Sequence, residues 1–211
     1  MKKKNKSNPS PVPEAQSPEP PDPGSELHAP GSQPEFTEDT ALAFFARQLD
    51  GLKWQYHRST GHPVLFCGFN GGEALWDFNM VARSKGDGDF LLGVNSFIPN
   101  KARPDRRAAV AELLTRINWE LNLGCFEMNY ADGEIRFRTN VMIPAADITD
   151  GIVEHLMRSN ISIVDERIHQ IMAVLYSDVT PEAALKLSAS DQQPGTSNQP
   201  PPDSQPRFDF N

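Results

Sequence analysis

A chain of 211 residues with 28 acidic and 20 basic side chains has a formal charge of −8 and room for one domain with extensions. Nine of its 19 prolines fall in Met1–Pro34 and five in Leu187–Asn211; these two ends are poor in aromatic and β-branched residues, bury too little apolar surface to offset chain entropy, and are expected to be disordered. The intervening Glu35–Lys186 is acidic and has no basic stripe, which argues against nucleic acid as a partner, and no stretch approaches the roughly 20 apolar residues of a membrane-spanning helix.

Thr37 reads as an N-cap, with Glu38 and Asp39 in the first turn where the helix dipole favours acids. Ala41, Leu42, Phe45, Leu49 and Leu52 then recur at helical spacing, so a first helix is expected over Glu38–Leu52, with Gly51 near its end. Strands follow: Trp54–Arg58, a more buried run over Val64–Phe69, and Leu75–Ser84, in which Trp76, Phe78, Met80 and Ala82 share one face. A loop centred on Gly86-Asp87 would pair Leu75–Ser84 with Phe90–Ile98 and set Trp76 opposite Phe97 and Ala82 opposite Leu91. Pro104 is placed at the start of a second helix with Val110, Leu113, Leu114, Ile117 and Leu121 as its apolar stripe and Gly124 as its C′ stop. Asp132-Gly133 then closes a hairpin, pairing Tyr130 with Ile135, Met128 with Phe137 and Phe126 with Thr139, and Glu127 with Arg138 on the other face. One side of that sheet therefore faces water or a partner. Thr149 caps a last long helical region through Tyr176, with a break or kink expected at Ser159-Asn160, and Thr180-Pro181-Glu182 opens a short final helix.

Ile117-Asn118-Trp119, Leu123-Gly124, Phe126-Glu127 and the run Asp132–Thr139, followed by Ile148-Thr149-Asp150 and Thr180–Leu185, resemble the YbjN family of bacterial proteins. The resemblance covers most of Glu35–Lys186, is clearest after Asp105, and leaves out the tails. It implies an α+β fold similar to that of the generally dimeric type III secretion chaperones. It also implies a regulatory role in sensory transduction without catalysis, and supplies no catalytic residue to carry over.

No catalytic, cofactor-binding or metal-ligating residue is assigned. His57 and His62 flank a turn without an evident third ligand, and His155 and His169 read as solvated or satisfied helix residues. Cys67 and Cys125 lie in apolar runs and read as buried free thiols in a reducing compartment. Gly68–Gly72 lacks the lysine and the helix of a phosphate loop, and Asp87-Gly88-Asp89 lacks the rest of a calcium loop. Asn118 is expected to tie its helix end to the hairpin. Lys2–Lys6 reads as a solubilising start, with no apolar run behind it to make an export signal. Arg207-Phe208-Asp209-Phe210-Asn211 is either a docking peptide or incidental.

The expectation is an α+β domain at 35–186, an antiparallel sheet with helices packed on one face, between disordered tails at 1–34 and 187–211. Its function is that of a cytoplasmic, non-enzymatic protein-binding or regulatory module, chaperone-like or in signal transduction. It has no cofactor, a homodimer or an unidentified protein as partner, and no nucleic acid or membrane. The alternative is a small thiol enzyme or hydrolase using Cys67 with a nearby histidine as base.

Overall fold

The computed structural model describes residues 35–72 and 74–187. The proline-rich arm, the Lys2–Lys6 cluster and Arg207–Asn211, with the disorder expected of both tails, lie outside the described residues. Every element named below belongs to the unit that begins at Phe36.

The order is α1 (Glu38–Gly51), β1 (Tyr56–Arg58), β2 (Val64–Asn70), β3 (Leu75–Gly86), β4 (Asp89–Phe97), α2 (Arg107–Glu120), β5 (Cys125–Met128), β6 (Ile135–Pro144), a 3₁₀ turn (Ala145–Asp147), α3 (Asp150–Tyr176) and α4 (Pro181–Ala184). The strands form one antiparallel sheet in the order β1-β2-β3-β4-β6-β5. α2 carries the chain past β6's place to the far edge, and β6 returns to fill the gap.

Alternation decides which face is covered. Leu65 and Cys67, then Trp76, Phe78, Met80 and Ala82, then Phe90, Leu92 and Val94, then Ile135 and Phe137, with Phe126, are all buried on the side where the helices pack. Two apolar clusters fill that side. One gathers α1, most of β2 to β4, the end of β6 and the first half of α3; the other gathers α2, α4, β5, the start of β6, Trp76 of β3 and the second half of α3.

Between the clusters sits a polar lock. Asn160, fully buried in α3, donates from Nδ2 to the Val94 carbonyl at 3.0 Å and to Thr139 Oγ1 at 3.2 Å, and its Oδ1 accepts from Ser96 Oγ at 2.5 Å. The Trp76 indole N–H donates to the same Ser96 hydroxyl at 3.2 Å. α3 therefore runs unbroken from Asp150 to Tyr176, and the break expected at Ser159-Asn160 is corrected. A side chain that favours caps when solvated is here used up by sheet carbonyls and hydroxyls.

Other expectations are corrected by turn chemistry. The first hairpin turns on Asp87-Gly88, both at positive φ (51° and 83°), with a bulge between Ser84 and Gly86. This is the primed turn whose twist suits a two-residue loop. Ala82 consequently pairs with Leu92, and Phe97 pairs with Asp77 and lies on the face away from Trp76. The second hairpin is two residues wider than a tight Asp132-Gly133 turn: Met128 pairs with Ile135 and Phe126 with Phe137. Asn129 N–H donates to the Glu134 carbonyl at 2.8 Å, Gly133 N–H to the Asn129 carbonyl at 2.7 Å, and Ala131 N–H to Asn129 Oδ1 at 3.1 Å, which closes a larger loop. A shift of two residues keeps every face, yet it puts Tyr130 in the loop, 58% exposed rather than inside.

Gly124 is not the C′ residue of α2, which ends at Glu120. It enters β5 at φ 76°, where a Cβ would stand 2.7 Å from the Arg138 carbonyl. Pro104 opens a turn three residues before α2 proper. The Val64–Phe69 run is buried on one side only, since Phe66 points outward and is 41% exposed.

Candidate interaction surface

Residues between the buried positions point to the face that no described helix covers. The register sets them in rows across the strands: Asp77, Phe97, Arg136, Glu127; then Phe66, Asn79, Asn95, Arg138, Cys125; then Val64, Val81, Gly93, Asn140; then Arg83, Leu91, Met142. Val64, Val81, Leu91 and Phe97 are interspersed with the amides of Asn79, Asn95 and Asn140, and Phe66 and Met142 (63%) stand open to solvent. Asn95 Nδ2 donates to Asn79 Oδ1 at 2.8 Å across β3 and β4.

Charge on this face is divided. Glu127 on β5 accepts from Arg136 at 2.7 Å and Arg138 at 2.5 Å, so this cluster carries one positive charge in excess. The register pairs Glu127 with Arg136, while Arg138 reaches it diagonally, so the expected Glu127–Arg138 contact is present within a shifted ladder. Asp77, at the β3 end of the first row, is exposed and enters no ion pair among the described residues. The face is thus positive on β6, while β3 carries Asp77 towards one end and Arg83 towards the other. The edge strands β1 and β5 span three and four residues and leave little backbone for another strand to pair with.

Asn118 does what its position suggests. Its Nδ2 donates to the Phe126 carbonyl at 2.9 Å and its Oδ1 accepts the Phe126 N–H at 2.8 Å, joining α2 to the edge strand. Its neighbour Trp119 is 91% exposed on α2.

The thiol reading meets an unsuitable geometry. Cys67 is 1% exposed, its thiol donates to the Gln55 carbonyl at 3.2 Å, and burial, with a smaller contribution from Asp77, pushes its pKa up to about 12. A nucleophilic thiol needs the opposite shift. His57 pairs with Phe66, so it points to the face opposite Cys67. His62 is exposed in the following turn, and among the described residues no three His, Cys, Asp or Glu side chains converge to hold a metal. His155 is exposed, while His169 is buried with Nε2 3.0 Å from the Leu187 carbonyl. Cys125 is only half-buried, on the outer face of β5, and three strands separate it from Cys67 on the inner face of β2, so the two cannot pair. No helix among the described residues is long and apolar enough to cross a membrane.

The sequence profile of the YbjN family, described as "Putative bacterial sensory transduction regulator", matches residues 44–171. The chain belongs to the YbjN family. The match runs from inside α1 into α3 and so takes in the whole sheet, the Asn118 clasp and the Asn160 lock; it ends before Thr180–Leu185. A solved structure titled "Crystal structure of YbjN, a putative transcription regulator from E. coli" is similar at 14% identity and a TM-score of 0.42, over 64% of this chain and 88% of that one. No curated protein matches the chain. The family is described by a regulatory role rather than an enzymatic one.

Proposed function

We propose that this YbjN-family chain is a non-enzymatic, protein-binding regulatory module whose uncovered sheet face receives a second copy of the chain. The supporting observation is that Asp77 on β3 and Arg136 on β6 stand in one row of that face, on either side of Phe97 of β4. A two-fold axis along β4, in the plane between two stacked sheets, lays β3 of one copy over β6 of the other. Asp77 of each copy then meets Arg136 of the other, while Leu91 and Phe97 meet their own counterparts, as an isologous contact requires. Aligned sheet-on-sheet packing tolerates this arrangement. A reducing cytoplasm suits two thiols that the topology keeps apart.

Light scattering on the intact chain tests the reading. A dimer of the 23.4 kDa chain is expected, forming with rising concentration. Asp77→Arg alone and Arg136→Asp alone should each be monomeric while keeping the native circular dichroism. Mixed in equal amounts they should dimerise, because each copy then supplies the charge the other lacks. A chain that stays monomeric at high concentration, or a mixture that fails to recover, overturns the proposal.

A further inference from the structure

On the helical side, α3 presents Glu154, Met157, Arg158, Ile161, Ser162 and Asp165 along one stripe, at spacings of three and four residues. With Gln48 and Leu52 at the end of α1 and Trp54 just beyond, this stripe lines a cleft of about 320 Å³, within the size range of small-molecule sites. Its floor and far wall are apolar. The Trp54 ring is held in place by Phe69 and Phe78, at centroid distances of 5.3 and 6.2 Å. Leu52 stands at the rim, 53% exposed.

The polar groups of the cleft are unequal. Glu154 and Arg158 neutralise each other at 2.7 Å. Asp165 is half-buried, yet its carboxylate accepts one N–H, from Gly72 at 2.9 Å, and enters no ion pair among the described residues. The backbone is fitted around it: a Cβ on Gly71 would lie 2.4 Å from Asp165 Oδ1 and 2.4 Å from the Trp76 ring. The carboxylate is therefore fixed in orientation and short of a countercharge, at one end of an apolar cleft walled by an indole. An anion would meet Asp165 and find the only basic side chain of the lining already paired. A cation would meet both Asp165 and the aromatic wall that Trp54 supplies.

We infer that this cleft binds a small organic cation with an apolar body, its charge on Asp165 and its body against Trp54, Met157 and Ile161. The inference is independent of the sheet face, which lies on the other side of the sheet.

The probe is 2-phenylethylamine, protonated at neutral pH, titrated into the intact chain by calorimetry and followed by the indole N–H resonances of the three tryptophans. Saturable binding with a Kd below about 1 mM is expected, moving the Trp54 resonance and leaving that of Trp119 in place. Asp165→Asn keeps an acceptor for Gly72 and should weaken binding by about ten-fold or more. Ser162→Phe, at the exposed rim, should block the cleft without disturbing the core. The anion 3-phenylpropionate should bind at least about ten-fold more weakly than the amine. No saturable binding of the amine, equal binding of the anion, or unchanged affinity in Asp165→Asn with native melting behaviour would each overturn the inference.

Discussion

Lys53 shows how much a single backbone position can carry. Its φ of 58° lies in the left-handed region, and its N–H donates to the Asp50 carbonyl at 3.0 Å while that of Trp54 donates to the Leu49 carbonyl at 2.9 Å. This is the Schellman pattern with Lys53 at the C′ position, a place that glycine usually fills. Gly51, expected near the end of the helix, is the last residue of α1. Lys53→Gly should therefore stabilise the fold by about 1 kcal/mol, since relief of the left-handed strain outweighs the extra freedom of the unfolded chain. Thermal unfolding should show a rise of roughly 2–4 °C. Cys67 gives a second test at this scale. Its folded-state pKa is raised from 9.0 to about 12, so the folded state holds its proton more tightly than the unfolded one. The associated stability is full below pH 9 and is lost as pH rises towards about 12. Between pH 7 and pH 10 the native chain should lose about 1.4 kcal/mol more than Cys67→Ala. At neutral pH a thiol reagent should modify Cys125 and spare Cys67 until the chain unfolds.

α3 is the element on which the fold turns, since both apolar clusters rest on it and the Asn160 lock lies where they meet. Asn160→Ala would leave Ser96, Thr139 and the Val94 carbonyl without their buried partner. A loss of about 2–4 kcal/mol in denaturant unfolding is expected, well above the cost of a surface substitution. Glu127→Gln is smaller, because both ion pairs are partly exposed; leaving Arg136 and Arg138 side by side without the carboxylate should cost about 1 kcal/mol. The sequence was informative wherever local chemistry decides. Thr37, Thr149 and Thr180 each accept a backbone N–H at their helix starts, and Asn118 clasps Phe126. It misled where a distant partner decides. Asn160 looks like a helix breaker until Ser96, Val94 and Thr139 are brought beside it. The width of the second hairpin depends on Asn129, whose side chain and backbone build the larger loop. Alternation along β3 made the uncovered face legible, whereas the cleft was not, because Trp54, Gly72 and Asp165 belong to three separate segments that only folding unites.

At the scale of the molecule, the C-terminal border of the domain belongs to the helical side of the sheet. Sequence reading ends the domain at Lys186, but the Leu187 carbonyl faces His169 Nε2 at 3.0 Å and accepts from Gln170 Nε2 at 3.2 Å. Both side chains are buried on α3, and Gln170 also reaches the Leu185 carbonyl at 3.3 Å. The segment after α4 is thus tied down by polar groups that have no water to turn to. A chain cut after Ser188 keeps the Leu187 peptide carbonyl in place, and one cut after Lys186 removes it. The shorter chain then strands His169 Nε2 inside the protein. Loss of a partner for one buried polar group costs about 1–3 kcal/mol, so the chain ending at Lys186 should melt several degrees below the one ending at Ser188, while the latter should match the intact chain. Equal melting temperatures for the two truncations would mean that Leu187 adds nothing to the fold and that the border lies at Lys186.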